Sequence, residues 1–579
     1  MTAGLRKFGT WHVPARHVAA RINREWLIAA LAALALAVAL NWGALADPAH
    51  TLPQDVGDPA LVSYLIAWDG HALLHDPANL WNLNAFYPAR YGLAYSDALL
   101  GYAPLAFIGT GPEAAVLRYN LIFILAVALT LFGGYALARQ LGVGRVGAVV
   151  AGVAVAVAPW RLAQAGHLQI LSEGGILLAL AMLARGHDIR WRGRTEPKRY
   201  RPGWALAGWL VATWQLSIGF GLGLVFAYVL LGCVAVGGAI WLVRRRPLAP
   251  RGLLIADGVG GVVFAAAGAL LSRPYLKVLE LYPYERRDAA WIALYSPPLR
   301  GLITAPHESR LWGELDANTL RTLSVPGEMA LLPGFALYAL ALFGLFVSVW
   351  SLRVRLALFA ATVVTMVLVL GTNGPDDGKL GYLLLLHLPG FSGVRTPGRL
   401  IVWTTLLLAL LAAGGVGALV ERGTAMGQRL GLRNAAVWTQ LALLVPAALV
   451  LVEGLGTTPH AQVPPAPAAL SQARPPYLVL PSNYYIDGMV MLWSTDRFGP
   501  VVNGNSGVMP LELAQTREAT KQFPDAKSVA YLRQLGVRTV VVYPSLMPRG
   551  SPDAASSPID GLGIERAFSG EAVVFTLGP

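Results

Sequence analysis

Gly57-Asp58-Pro59 carries the sharpest chemical signal in the chain. Glycine permits an unusual backbone angle and proline suits the first turn of a helix, so Asp58 stands where a helix running toward His75 begins. Two roles are open to that carboxylate. It caps the helix by accepting from the first free backbone N–H groups, or it is a rigidly held base able to take a proton from an attacking hydroxyl. It lies in a polar stretch from Ala46 to Gly109 that also holds Asp47, Asp55, Asp69, Asp76 and Asp97. Among these stand Trp68, Trp81, Phe86, Tyr87, Tyr91, Tyr95 and Tyr102, with Arg90 as the sole Lys or Arg.

A second group is Pro159-Trp160-Arg161 with His167, Gln169 and Glu173. Glu173 falls inside an apolar run, where an unpaired carboxylate is costly, so Arg161 or His167 is expected to pair with it unless the group is functional. A third is HLPGFSGVRTPGRL, which sets Arg395 and Arg399 just ahead of another apolar run. The planar guanidinium gives bidentate hydrogen bonds and suits phosphate, whereas Asp376 or Asp377 would serve as structural partners. Charged residues alternate with aromatics from Arg273 through Tyr275, Lys277, Glu280, Tyr282, Tyr284 and Glu285 to Arg287, as in a sugar site or a solvated juxtamembrane helix. Asp257, within a run, has Arg251 as its nearest sequence partner. No P-loop, dinucleotide glycine fingerprint, HExxH or CxxC stands in a credible context, and the single cysteine, Cys233, excludes an intrachain disulfide.

The elements that position these groups are set by composition. Of 579 residues 55% are hydrophobic and 13% charged, about half the charge of a soluble domain, so the surplus apolar surface calls for a bilayer. The net charge of +13 comes from Lys and Arg clusters at the ends of apolar runs, which is the positive-inside pattern and not a nucleic-acid surface. Runs long enough to be spans begin at Trp26, Ala114, Val146, Leu168, Trp204, Gly219, Gly252, Met329, Leu356, Leu400 and Val437. This makes about eleven, provided that Leu99 to Ile108 lies at the interface without crossing. Residues 1–25 read as a cytoplasmic tail. The run from Trp26 to Ala46 reads as an uncleaved anchor, with Ala44-Leu45-Ala46 the alternative cleavage site. The same topology places the outer loops 47–113, 272–328 and 371–399 and the C-terminus outside a cell inner (plasma) membrane.

The transmembrane body runs over 26–457. A Pro- and Ala-rich linker over 458–476 is expected to be extended and poorly structured. Residues 477–579 then change pattern. Tyr477 to Leu480, Val537 to Tyr543 and Val573 to Leu577 read as strands, and Lys527 to Leu535 as an amphipathic helix opened by Pro524-Asp525. The fold class is an α-helical polytopic membrane protein with a small C-terminal extracytoplasmic α/β domain.

Taken in order, GDPALVSYLIAW, NAFYPARYGLAYSD, APWRLAQAGHLQILSEGGILLALAML, PGEMALLPGFALYALALFGL and LPGFSGVRTPGRL resemble bacterial polytopic membrane glycosyltransferases of the GT-C superfamily. The branch is the YfhO-like and dolichyl-phosphate-mannose-protein-mannosyltransferase-like one, and WSTDRFGPVVNGNSG and FPDAKSVAYLRQLGVRTVVVY resemble its small terminal domain. The resemblance rests on the order of the segments, since each alone is degenerate.

It implies an inverting sugar transfer on the extracytoplasmic face. The donor is a polyprenyl-phosphate-linked sugar, the acceptor a cell-envelope glycan, lipid or protein, and membrane lipid surrounds both. Asp58 matches the acidic residue of the first outer loop that acts as base or orients the acceptor, and Arg395 and Arg399 would bind the leaving phosphate. Arg161, His167, Gln169, Glu173, Asp69, Tyr87, Arg90 and Asp97 would shape the substrate pocket. The chain lacks a clear second acidic motif after Leu271, which leaves a divalent cation, Mg or Mn, undecided. The rival classes are a transporter or lipid flippase, which predicts internal repeats, and a non-catalytic scaffold on a GT-C-like body.

Overall fold

The computed structural model describes residues 24–192, 198–244, 249–431 and 434–578. The expected cytoplasmic tail lies almost wholly outside them. Every apolar run becomes helix. Among the described residues seven helical stretches are long and apolar enough to cross a membrane, including Gly111–Gln140, Phe220–Val243, Arg251–Leu281 and Pro397–Arg429. The other four runs form Arg24–Leu40, Arg145–Val157, Pro202–Ile218 and Phe335–Phe346, of 17, 13, 17 and 12 residues.

Burial separates two kinds of span. Gly111–Gln140 and Pro397–Arg429 are 78% and 94% buried in their apolar windows and form the body's centre, whereas Phe220–Val243 and Arg251–Leu281 are only 22% and 17% buried. The latter pair exposes Leu231, Val234, Leu242, Val259, Val262 and Leu270, side chains that need lipid as solvent. Small residues allow the central helices to touch: a Cβ on Gly344 would meet the Leu411 carbonyl at 2.0 Å, and one on Gly147 the Ala413 carbonyl at 2.4 Å.

The polar stretch after the first helix holds the helix Asp58–His75, in which 13 of 18 residues are buried, and the seven-residue 3-10 turn Leu100–Ala106; neither is among the helical stretches long and apolar enough to cross. The linker departs from expectation. Its His460–Gln462 pairs antiparallel with Thr51–Pro53, and Ala468–Gln472 is helical. Two segments over 400 residues apart exchange backbone hydrogen bonds, a partner no local proline count reveals.

In the C-terminal domain the sheet runs Tyr477–Leu480, Thr539–Val542, Ala572–Leu577, Ile564–Ser569, with the first pair parallel and the others antiparallel. Ile564–Ser569, absent from the sequence reading, is an edge strand with a mostly polar pattern. The predicted helix is Ala526–Gln534, opened by an Asp525–Ser528 capping box. Period-2 alternation splits the sheet's side chains. Tyr477, Val479, Val541 and Val574 join the core of the membrane body, while Leu478, Leu480, Val540, Val542 and Phe575 pack against Phe523, Val529 and Leu532. Both faces are therefore buried, which is why these strands read as continuous apolar runs.

The domain is bound to the first polar stretch by backbone pairing. Tyr87 N–H donates to Val501 O at 3.0 Å, Phe86 N–H to Asn503 O at 3.1 Å and Val501 N–H to Asn84 O at 2.8 Å. Asn84 also donates to Ser494 Oγ and accepts from the buried Tyr64 hydroxyl. A Cβ on Gly504 would lie 2.2 Å from the Phe86 ring, so glycine is required there.

Candidate active site

A cavity of about 880 Å³ opens between the helical body, the first polar stretch and the C-terminal domain. Its polar end is lined by Asp58, Asp97, His167, Gln169, Arg395 and Arg399, and by Tyr484 and Asn505 of the C-terminal domain. Its other end is an apolar arm walled by Leu224, Val225, Leu231, Phe264, Leu276 and Trp403, the first five of which belong to the lipid-exposed pair of spans.

Asp58 is the first residue of its helix, and the N-cap position belongs to Gly57, whose N–H is taken by Asp55 Oδ1 at 2.8 Å. The capping role is therefore corrected: the Asp58 side chain turns into the cavity. Its Oδ2 lies 2.9 Å from His167 Nε2 and its Oδ1 accepts from the Tyr484 hydroxyl at 2.8 Å. Burial pushes its pKa up, but the His167 hydrogen bond and charge, with Tyr484 and Arg399, more than offset this and bring it down to about 2. The result is an ionised carboxylate at any physiological pH.

Arg399 pairs with neither Asp376 nor Asp377. Its guanidinium forks onto Glu328, with Nε 3.2 Å from Oε2 and Nη2 on Oε1. Glu328 sits in the short turn Pro326–Met329, buried beside Gln164; burial opposes its ionisation, and the Arg399 charge holds it below the ordinary value. Nothing local to the PGEM segment marks Glu328 as a site residue, because its meeting with Arg399 is made only by the fold. Arg395 makes no ion pair among the described residues and lies over the Tyr295 ring at 5.1 Å, its charge directed at the cavity. Arg399 is balanced by Glu328, so of the two arginines Arg395 is the one left without a carboxylate partner among the described residues.

Asp97 borders the same space and accepts from Gly221 N–H at 3.1 Å; burial raises its pKa, partly countered by that backbone donor. Gln169 Oε1, His167 Nδ1 and Thr396 Oγ1 are buried polar atoms without a protein partner. Ser506 Oγ, on the loop from the C-terminal domain, is another. All four residues are cavity-lining, as expected of a surface awaiting hydroxyl groups.

Other expected pocket residues lie elsewhere. Arg161 and Glu173 form a buried ion pair with each other, Arg161 also donating to Leu171 O, and neither lines the cavity. Their role is structural. Asp69 is fully buried with both oxygens unpartnered, burial raises its pKa well above the ordinary value, and it does not line the cavity. Tyr87 packs against the core of the C-terminal domain, and Arg90 points to solvent while its carbonyl accepts from Tyr95. Asp257 is met by His187 and Trp209, not Arg251. From the weaker charged and aromatic stretch, Tyr275, Glu285 and Arg287 do reach the cavity, with Arg287 paired to Glu285 at 2.8 Å and donating to Gly507 O. Tyr484, Asn505 and Ser506 escaped the sequence reading because they belong to the other domain.

Among the described residues no group of three or more His, Cys, Asp or Glu side chains gathers to hold a metal ion. One Asp58 oxygen meets His167 and the other the Tyr484 hydroxyl.

No protein-family profile matches the chain, and no curated protein sequence does. Solved structures do. The chain is similar to AftD, an arabinofuranosyltransferase from Mycobacteria, at 16% identity and TM-score 0.46, over 96% of this chain and 40% of that one. It is similar to the apo oligosaccharyltransferase of Archaeoglobus fulgidus at 14% identity and TM-score 0.45, over 90% of this chain and 70% of that one. To ArnT from Cupriavidus metallidurans bound to undecaprenyl phosphate the likeness is 14% identity and TM-score 0.44, over 96% of this chain and 99% of that one. The chain thus spans well under half the length of the arabinofuranosyltransferase and nearly all of ArnT.

Proposed function

We propose that this protein is an inverting glycosyltransferase that moves a sugar from a polyprenyl-phosphate-linked donor to an acceptor outside the cell inner membrane. The reading rests on one observation. A single cavity joins a polar end bearing a carboxylate and two arginines to an apolar arm in lipid-exposed spans, which is the shape and polarity of a lipid phosphate sugar. A polyprenyl chain lies in the arm, its phosphate meets Arg395 and Arg399, and the sugar sits between them and Asp58.

Asp58 accepts the proton of the acceptor hydroxyl as its oxygen bonds to the anomeric carbon. The bond from that carbon to the phosphate oxygen breaks on the opposite face, and the electron pair leaves with the polyprenyl phosphate. Negative charge that grows on the phosphate is met by the two guanidinium groups. Glu328 positions Arg399 without touching substrate, and His167 holds Asp58 ionised and oriented. No step is routed through a metal. The N-terminus is cytoplasmic and the C-terminal domain extracytoplasmic in this reading, which puts the polar end outside. A flippase needs no base at the polar end, whereas Asp58 is held ready for one.

The test is transfer by the purified protein in liposomes from a panel of polyprenyl-phosphate sugars to membrane or cell-wall acceptors. Transfer by the wild type, its loss in a folded Asp58→Asn variant, and weaker donor binding in Arg399→Ala would support the reading. Lipid movement without sugar transfer would move the assignment to a flippase. Folded protein that neither transfers nor binds polyprenyl phosphate would refute both.

A further inference from the structure

Asp58 Oδ1 is already occupied by a hydroxyl, and that hydroxyl belongs to Tyr484. A base must accept a hydrogen bond from the proton it will remove, so the place of the Tyr484 oxygen is the place a nucleophilic hydroxyl has to take. Tyr484 is the first residue of the helix Tyr484–Trp493, after an Asn483 cap, in the C-terminal domain. Tyr484 is 46% exposed and its neighbour Tyr485 64% exposed, the two rings standing edge to face at 5.2 Å, with Tyr484 lining the cavity and Tyr485 packed on it from outside that lining. Two exposed aromatic side chains, the first bonded to the carboxylate, form a platform for something that has both apolar faces and hydroxyl groups.

The surroundings favour a sugar ring. Asn505 lies beside the Tyr484 hydroxyl, and Ser506 Oγ and His167 Nδ1 are buried polar atoms without partners on the same cavity wall. Such a set satisfies several neighbouring hydroxyls of one ring, which a single serine or threonine side chain of a peptide does not carry. The platform has a rigid base. Asp487, one turn further along the helix, is fully buried and bonded by Asn503, Arg517 and Ser482, so the helix stays fixed while the exposed rings at its start can turn.

On the glycosyltransferase reading above, we infer that the C-terminal domain carries the acceptor subsite. It takes a carbohydrate whose ring stacks on Tyr485 and whose hydroxyl displaces Tyr484 from Asp58. Tyr484 then guards the base until an acceptor arrives. The domain thereby completes the site in addition to folding beside it.

The experiment measures binding of methyl glycosides of hexoses and pentoses to the full chain in nanodiscs, by saturation-transfer NMR titration. Polyprenyl phosphate binding is followed in parallel. Tyr485→Ala should weaken glycoside binding about tenfold or more and Tyr485→Phe should restore it, while polyprenyl phosphate binding stays unchanged. Tyr484→Phe removes the competing hydroxyl and keeps the ring, so glycoside affinity should rise about threefold. Glycoside affinity unchanged in both Tyr485→Ala and Tyr484→Phe would overturn the proposal, as would a serine-containing peptide that binds at these residues where no glycoside does. Those failures leave the transferase reading standing as long as polyprenyl phosphate binds; failure of the lipid to bind overturns that reading first, and this proposal with it.

Discussion

Replacing His167 by Ala tests how the carboxylate is held. Asp58 stands at about 2 instead of its ordinary 3.8, a difference just under two units, or ~2.5 kcal/mol at 1.36 kcal/mol per unit. The side chain is 37% exposed, so solvent screening brings the usable figure to about 1 kcal/mol. Burial acts in the opposite direction and survives the substitution, as do Tyr484 and Arg399. The carboxyl pKa should therefore rise by about one unit in His167→Ala. Because the folded value is depressed, the stability that Asp58 contributes is fully present above 3.8 and is lost only as pH falls toward 2, so the folded wild type keeps its base ionised throughout the working range. The assay is kcat/KM for sugar transfer from pH 8 down to pH 2, a range that contains both acid limbs. The variant should lose rate on the acid side starting about one pH unit higher than the wild type, with thermal stability at pH 7 lowered by about 1 kcal/mol. An acid limb that stays in place while kcat falls would refute the role assigned to His167 and make it a substrate contact.

Three further outcomes follow from the same contacts. Glu173→Ala leaves the Arg161 charge buried and unpaired and should cost about 3–5 kcal/mol, read as a large drop in Tm, whereas protein that remains folded should keep its KM for donor, since neither residue lines the cavity. Asp69 is a buried acid whose raised folded pKa gives stability that is present below pH 3.8 and lost as pH rises, so Asp69→Asn should gain in Tm over the wild type progressively from pH 4 to 8; an advantage independent of pH would show that the folded pKa is not raised, and a disadvantage growing with pH that Asp69 is ionised and paired. Chelation with EDTA should change the transfer rate by less than about twofold, because the proposed step uses Asp58 and the two arginines and no cation; restoration of a lost rate by Mg or Mn would overturn this.

Much was determined by the sequence alone. The apolar runs had to become helices in lipid, because a backbone without water must bond to itself. Gly57-Asp58-Pro59 marked the start of a helix, Pro524-Asp525 the start of another, and the continuous apolar runs of the terminal domain its buried strands. Asp58, His167, Arg395 and Arg399 could be singled out because a carboxylate, an imidazole and two guanidinium groups beside apolar runs require an explanation. Which of them meet was decided only by the tertiary structure. Pairing range is short compared with chain separation: Arg399 found Glu328 and not Asp376, Glu173 took Arg161 and left His167 to Asp58, and the linker at His460 added a strand to Thr51. The base itself is bonded to a tyrosine 426 positions away in a different domain. Periodicity and local spacing report the face on which a residue lies, not the distant side chain that packing brings to it, and the chemistry of this site depends on the second.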